Sequence, residues 1–120
     1  MSEDWRQQRF APASGTPLGS VSEINDGGGR EVVFGEGKHV FRLTLLRDGD
    51  AVYGYVNRCP HFGTPLNMGP AFVTTQRRVI CVSHYARFRF RDGYCEDGPC
   101  LGASLESVPL TVCDGRIQIG

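Results

Sequence analysis

Two short segments of the chain each place a cysteine close to a histidine, and these four side chains carry the clearest chemistry in the sequence. Cys59 and His61 stand one residue apart, and Cys81 and His84 have two residues between them. Thiolate and imidazole are both good ligands for zinc or iron. Since each spacing lets one loop present two donors to a metal, the sequence predicts a metal centre built from two loops.

Four such ligands suit two different kinds of centre. A structural zinc ion would take all four ligands in a tetrahedron. A 2Fe–2S cluster can instead take two thiolates on one iron and two imidazoles on the other. The ligand types leave both centres open, so the flanking residues must decide between them.

The residues around the ligands resemble the two cluster loops of the Rieske iron–sulfur family. The first loop of that family reads Cys-x-His-x-Gly-x-x-Leu, and Gly63 and Leu66 match it. The second loop reads Cys-x-x-His, then glycine, a small residue, and basic and aromatic residues. The last three of these positions are filled here by Ala86, Arg87 and Phe88.

The resemblance runs from about Lys38 to the C-terminus, and Gly98-Pro99 resembles the proline-containing loop that covers the cluster in this family. It implies an all-β fold, a Rieske-like antiparallel β-sandwich with a small cluster-binding subdomain. It also implies one 2Fe–2S cluster as cofactor and a ligand set, bound to the metal, of Cys59, His61, Cys81 and His84. The two histidines would lie near the surface, where their outer edge serves as the electron exit.

Two features near the second loop depart from parts of the family. Tyr85 follows His84 where relatives usually carry glycine, so its side chain must point out of the loop or pack on a neighbour. High-potential relatives have a disulfide between the loops, where this chain has Thr64 and either Ser83 or Ala86, and a serine where it has Ala86. Because both changes remove stabilisation of the reduced cluster, we expect a potential in the lower part of the roughly −150 to +300 mV range.

Centres of this kind resemble those in the ferredoxins of bacterial aromatic-ring dioxygenase systems. The resemblance implies a soluble, monomeric one-electron carrier that passes electrons from a flavin- or NAD(P)H-dependent reductase to a terminal oxygenase. The chain is not expected to be an enzyme itself, since no catalytic residues are visible. The alternatives are a small electron-transfer subunit of a larger reductase, of the nitrite-reductase type, and a zinc-binding interaction module.

The elements that must position these ligands are predicted to be short antiparallel strands. Alternating or β-branched runs, with turn residues between them, predict strands over 31–34, 39–46, 51–56, 78–82, 86–91, 108–113 and 116–119. Residues 20–25 are expected to form at most one short helical turn. We expect a flexible N-terminal arm over 1–17 and a single domain over 18–120. The irregular stretch of about 57–76 begins a cluster-binding subdomain over about 57–101.

Composition narrows the class of protein further. The 120 residues make one domain, and 13 basic residues balance 13 acidic ones, which gives no reason to expect a nucleic-acid or membrane partner. No apolar run approaches the roughly 18–20 residues of a membrane span. Five cysteines without an export signal favour metal binding over a disulfide framework. We therefore expect a cytoplasmic protein.

The other histidine, cysteine and arginine side chains are expected to be structural or solvent-exposed rather than functional. His39 is predicted to be an ordinary strand residue rather than a ligand, and Cys113 a small buried hydrophobe. A disulfide across the turn between Cys95 and Cys100 is conceivable, but free thiols are favoured. A solvated strand face is favoured over an acidic-partner site for the arginines, which are Arg77, Arg78, Arg87, Arg89 and Arg91.

Overall fold

Three antiparallel sheets make up the protein, which we describe from a computed structural model covering residues 4–120. Between residues 4 and 120 the only helical segments are three 3₁₀ turns of three residues each. The all-β prediction is therefore confirmed. No helix within this part of the chain is long and apolar enough to cross a membrane.

Two of the sheets face each other as a sandwich. The first contains β1, β11 and β10 side by side, and the second contains β2, β3, β4 and β9 in that order. Their strands are β1 (Pro17–Ser20), β2 (Gly29–Phe34), β3 (Phe41–Asp48), β4 (Ala51–Val56), β9 (Ser107–Val108), β10 (Leu110–Cys113) and β11 (Arg116–Ile119). The third sheet is inserted between β4 and β9 and has only three-residue strands. These are β5 (Val73–Thr75), β6 (Arg78–Ile80), β7 (Arg87–Arg89) and β8 (Cys95–Asp97).

Tight turns explain why the two long hairpins form where the sequence predicts them. Asp48 pairs with Ala51 across a two-residue loop, and Gly49 there has a φ of +63°. Asp114 and Gly115 both have positive φ at the β10–β11 turn, at +51° and +76°. Positive φ at the first loop residue, as at Gly49, or at both, as at Asp114 and Gly115, matches the twist of the strands, which is why such turns favour hairpins. The strands 51–56 and 116–119 have the predicted bounds.

Each part of the fold has its own buried core. Aromatic and aliphatic side chains from both large sheets fill the sandwich. The second core lies under the third sheet and includes four cysteines among its twelve buried members, which are Leu46, Tyr55, Cys59, Leu66, Val79, Cys81, Ala86, Phe88, Phe90, Cys95, Cys100 and Leu105. The Tyr55 hydroxyl donates a 2.6 Å hydrogen bond to the Phe90 carbonyl, which joins β4 to the third sheet.

The segment expected to form a flexible arm over 1–17 contacts the sandwich through its described residues, whereas residues 1–3 lie outside the described part. Trp5 is only 3 % exposed, and its ring lies 5.9 Å from that of Phe41. Its backbone N–H donates a 2.8 Å hydrogen bond to Glu106. Trp5 therefore packs on the sandwich, although no periodic pattern in the sequence marks it.

Other differences from the predicted elements are local. His39 lies in an exposed 3₁₀ turn, Gly37–His39, rather than in a strand, because the pairing of β2 with β3 ends at Phe41. Cys113 is exposed on an outer strand, so the expectation that it is buried is wrong. Strands β1, β5 and β8 are too short to show periodicity in the sequence. The helical turn expected near 20–25 is present as Val21–Glu23.

Candidate metal centre

The first cysteine–histidine segment forms a closed turn directly after β4. The backbone N–H of Cys59 donates to the Thr64 carbonyl at 2.7 Å, and the N–H of Gly63 donates back to the Cys59 carbonyl at 2.7 Å. Gly63 has a φ of +73°, a left-handed conformation that glycine adopts without steric cost. The turn therefore needs a residue that tolerates this φ at the fourth position after the cysteine.

The second segment forms the same turn after β6. The N–H of Cys81 donates to the Ala86 carbonyl at 2.8 Å, and the N–H of Tyr85 donates to the Cys81 carbonyl at 2.7 Å. Tyr85 takes the place of Gly63 and has a φ of +60°. A 3.0 Å bond from the Val82 N–H to the Leu66 carbonyl holds the two turns together.

Tyr85 is accommodated because its side chain leaves the loop. It is 77 % exposed, which corresponds to the first of the two expected outcomes, a side chain that points out of the loop rather than packing on a neighbour. The left-handed φ still costs a non-glycine residue on the order of 1 kcal/mol or more. The preference of relatives for glycine here thus has a backbone cause.

The two turns bury the thiols of Cys59 and Cys81 against each other. Burial raises the pKa of the Cys59 thiol, but hydrogen bonds from Cys100 and from the backbone N–H groups of His61 and Phe62 outweigh it, so the pKa of Cys59 falls below its usual value. At Cys81 burial dominates, and the pKa is raised despite backbone N–H groups directed at the sulfur. Such N–H groups favour thiolate, the form that binds metal.

Both histidines lie at the surface, on the outer side of this thiol pair. The ring of His84 stacks on Phe62 at 3.5 Å, and the ring of His61 lies 4.2 Å from the same phenyl ring. The structure thus brings the two predicted cysteines together and the two predicted histidines together around Phe62. Within residues 4–120, no three or more His, Cys, Asp or Glu side chains form one metal-holding group as they stand.

A third loop brings another thiol to the centre, one to which the sequence analysis gave no role there. The sulfur of Cys100 lies 3.3 Å from that of Cys59, and both residues are buried. Burial, with the neighbouring Cys59 sulfur, raises the pKa of Cys100 to about 12. The loop approaches closely because Gly98 lies against Ala86, where a Cβ on Gly98 would be 2.8 Å from the Ala86 Cα.

The favoured interpretation of Cys95 and Cys100 as unpaired thiols agrees with the structure, in which all five cysteines are free. The Cys95 thiol donates to the carbonyl of Asp97 at 3.2 Å rather than facing Cys100. The position of Cys100 beside Cys59, 41 residues earlier in the chain, depends on tertiary packing. No local signal in the sequence carries that information.

A buried polar network that the sequence analysis also missed fixes the start of the first turn. The Asn57 amide donates to Glu31 at 2.6 Å and to Asn67 at 2.8 Å, and its oxygen accepts the Leu66 N–H at 2.8 Å. Arg42 pairs with Glu31 at 2.6 Å across β2 and β3. Burial raises the pKa of Glu31, but the hydrogen bonds from these partners lower it more, so it lies below its usual value.

Three of the arginines considered as a partner site are paired within the chain. Arg77 contacts Asp26 at 2.6 Å, Arg78 contacts Glu96 at 3.1 Å, and Arg89 contacts Asp92 at 2.6 Å. These contacts agree with the favoured interpretation as a solvated strand face. They lie at the end of β6 and β7 remote from the two cysteine turns.

Comparison with known proteins places this geometry in context. The model of the Rieske [2Fe-2S] domain matches residues 14–110. Among curated proteins, apoptosis-inducing factor 3 of Mus musculus is 36 % identical over 99 residues, which are 82 % of this chain and 15 % of that protein. The Homo sapiens protein of the same name is 36 % identical over 81 residues, 68 % of this chain and 12 % of its own length. The chain therefore spans about an eighth to a seventh of these relatives.

Solved structures give the same fold. The ferredoxin of carbazole 1,9a-dioxygenase from Nocardioides aromaticivorans IC177 superposes with a TM-score of 0.65 at 25 % identity, covering 88 % of this chain and 98 % of that one. A ferredoxin–oxygenase complex of carbazole 1,9a-dioxygenase matches with a TM-score of 0.69 at 21 % identity, over 87 % of this chain and 90 % of the matched one. The second similarity bears on the fold alone.

Proposed function

Because the chain belongs to the Rieske [2Fe-2S] domain family, with one 2Fe–2S cluster as its cofactor, we propose that it is an electron carrier between a reductase and a terminal oxygenase. The observation that carries the proposal is the pair of matching turns, which bury two thiols under backbone N–H donors and leave two imidazoles at the surface. Family membership sets the zinc-binding interpretation aside.

We assign the cluster ligands as Cys59 and Cys81 on one iron and His61 and His84 on the other. The donor set fits this cofactor, since Rieske centres need two thiolates and two imidazoles. The buried thiols lie on the protein side and the histidines on the solvent side. When bound, the cluster takes up and releases one electron; the residues around it decide from which side a partner reaches it.

The surface around the histidines suits a transient protein partner. Phe62 is 42 % exposed, Tyr85 is 77 % exposed, and Leu101 beside Cys100 is 66 % exposed. Exposed apolar side chains of this kind mark interaction sites, and electron-transfer interfaces are typically small. A partner that binds the surface around His61 and His84 would contact the outer edges of both imidazole rings directly.

The finer assignment of partners rests on relatives. A ferredoxin and a ferredoxin–oxygenase complex of carbazole 1,9a-dioxygenase are among the similar structures, which supports a terminal oxygenase as electron acceptor. As electron donor we propose a flavin-dependent reductase. The free thiols of all five cysteines suit the reducing cytoplasm. We propose a monomer there, because small transient interfaces suit a free-standing carrier.

A second candidate is an electron-transfer domain or subunit of a larger reductase. It is favoured by the curated relatives, which are far longer than this chain. Stable co-purification with a large subunit from the native source would support it. A chain that purifies alone and exchanges electrons with a separate reductase would support the free carrier.

The test is a set of single replacements read by iron and sulfide content, visible spectrum and the EPR signal of the dithionite-reduced protein. We expect two irons and two sulfides per chain in the unmodified protein, and loss of the signal in His61→Ala, His84→Ala, Cys59→Ser and Cys81→Ser. A redox titration should give a midpoint in the lower part of the roughly −150 to +300 mV range.

Matched controls come from the histidine and cysteines outside the ligand set. His39→Ala, Cys95→Ser and Cys113→Ser should all keep the cluster, since His39 and Cys113 are exposed and Cys95 bonds Asp97. A cluster that survives both histidine replacements but is lost in Cys95→Ser would point to an all-thiolate site and overturn the assignment.

A further inference from the structure

Cys100 is a buried thiol in direct contact with a proposed cluster ligand, and no role assigned above accounts for it. Its sulfur lies 3.3 Å from the Cys59 sulfur, and it is 3 % exposed. The sulfur atoms of a disulfide are about 2.05 Å apart, so a small side-chain movement would join the two.

The backbone holds Cys100 in this place. The N–H of Leu101 donates to the Gly98 carbonyl at 3.1 Å, and the N–H of Ala103 donates to the Cys100 carbonyl at 2.8 Å. Gly98 in turn packs on Ala86 of the second turn. Cys100 is thus presented to Cys59 by a loop closed with its own hydrogen bonds and seated on the centre.

We propose that Cys59 and Cys100 form a reversible disulfide in the cluster-free chain when hydrogen peroxide is the oxidant, and that the bond protects Cys59 until a thiol reductant restores it. The thiol chemistry stands on the contact alone. Its meaning as protection of a cluster ligand rests on the proposed function, which assigns Cys59 to the cluster.

The reaction balances in two steps. The Cys59 thiolate attacks one peroxide oxygen, the O–O bond breaks, and hydroxide leaves and is protonated to water, so that Cys59 becomes a sulfenic acid. The Cys100 sulfur then attacks the Cys59 sulfur, the S–S bond forms, the S–O bond breaks, and a second water leaves. Two thiols lose two electrons to one peroxide, which is reduced to two waters.

Each buried thiol of the pair has an exposed residue close to it in the chain. His61 follows Cys59 by two residues and Leu101 follows Cys100 directly, and both are exposed. Without a resolving thiol, a sulfenic acid proceeds to sulfinic acid, which thiol reductants do not reverse. Under this proposal it is Cys100, rather than the neighbouring Cys81, that resolves the sulfenic acid of Cys59.

The experiment uses the full chain after its cluster has been removed with a chelator under reducing conditions. The protein is freed of reductant, treated with hydrogen peroxide, alkylated and digested with trypsin without reduction. Cleavage at arginines separates Cys59 in peptide 59–77, Cys81 in 79–87, and Cys95, Cys100 and Cys113 together in 92–116. We expect a disulfide between peptides 59–77 and 92–116.

Single replacements identify which cysteine of peptide 92–116 is linked. The linked pair should persist in Cys95→Ser and Cys113→Ser and vanish in Cys100→Ser. A link between 59–77 and 79–87, which would join the two proposed ligands, or a link that survives Cys100→Ser, would overturn the proposal.

Reloading supplies a second readout. Peroxide-treated unmodified chain should recover its full iron content after dithiothreitol and reconstitution. Cys100→Ser should stay unloaded and carry two extra oxygens on Cys59 itself, located by fragmentation of peptide 59–77, since that peptide also holds the oxidisable Met68. Equal recovery of both proteins would contradict the protective role. A chain that carries the cluster yet never forms the link refutes this inference alone; a chain that forms the link but holds no 2Fe–2S cluster refutes the proposed function alone.

Discussion

The core of the sandwich and the core beneath the third sheet differ in what fills them. Between the large sheets lie Trp5, Phe41 and branched aliphatic side chains, on strands of up to eight residues. Beneath the third sheet, four of the buried members are cysteines and every strand has three residues.

The two cores are therefore stabilised in different ways. The sandwich is stabilised by apolar area that is buried whether or not a cofactor is present. The cluster-binding part uses core positions for thiols, short strands and polar bonds. The stability of this part depends more on the two closed turns, on the hydrogen bonds of Asn57 and on the group that the thiols bind.

Replacing Trp5 by alanine should remove sandwich stability without altering the cluster. Truncating a buried tryptophan leaves a cavity, so the free energy of unfolding should fall by about 3–5 kcal/mol, measured by urea denaturation, with the midpoint potential unchanged. Phe10→Ala is the matched control, because Phe10 is 43 % exposed in the same segment and should change stability by less than about 0.5 kcal/mol. If both variants lowered the free energy of unfolding by the same small amount, a flexible N-terminal arm would be the better description.

Replacing Glu31 by glutamine should weaken the link between the two regions, by about 1–3 kcal/mol at neutral pH, because hydrogen bonds to a charged acceptor are lost. The lowered pKa of Glu31 means that its carboxylate contributes stability that is fully present above its unfolded value of 4.5 and is lost as the pH falls through the folded pKa.

Unfolding curves measured across this acidic range should therefore be flatter for Glu31→Gln than for the unmodified protein. Glu36→Gln serves as control, since Glu36 is exposed and its side chain makes no capping hydrogen bond at the start of a 3₁₀ turn, so the stability of this variant at neutral pH should match that of the unmodified protein. If the free energy of unfolding of Glu31→Gln and of the unmodified chain changed equally with pH on the acidic side, the Glu31 carboxylate would not be a source of that pH dependence.

The matching turns predict effects of opposite sign at equivalent positions. Tyr85→Gly should stabilise the protein by about 1 kcal/mol, because it relieves a left-handed φ, and Gly63→Ala should destabilise it by a similar amount. Thermal unfolding of the two variants in parallel measures both. The same sign of change at the two positions would show that the turns are not energetically alike.

Cys100→Ala should give the smallest effect on the cluster, a shift in its midpoint potential. With Cys59 bound as thiolate, the Cys100 thiol is the donor in their 3.3 Å contact and favours the more negative reduced state. Losing about 0.5–1 kcal/mol of hydrogen bonding lowers a one-electron midpoint by roughly 20–40 mV. Cys95→Ala, whose thiol donates to a carbonyl instead, should leave the midpoint unchanged.

The sequence predicts the parts of this molecule that local patterns encode. The Asp-Gly turns and alternating runs predict the β3–β4 and β10–β11 hairpins, and the residues flanking the ligands predict the family. For Tyr85 the sequence leaves two options, and the structure shows the exposed one.

What the sequence does not predict depends on distant residues meeting. Trp5 on Phe41, Glu31 beneath Asn57, and Cys100 against Cys59 are each set by packing between segments that no spacing relates. Cys113 was misjudged because an alternating strand indicates two faces but not which one the rest of the chain covers.

The paired turns also matter to a protein engineer. Each is closed by its own two backbone hydrogen bonds, from a cysteine to the fifth residue after it and from the fourth residue back. Because backbone groups alone close each turn, the side chains between the cysteine and the fourth residue after it can be varied without losing these hydrogen bonds. Libraries that vary 60–62 and 82–84 around fixed cysteines would sample different metal-binding chemistries on one unchanged scaffold.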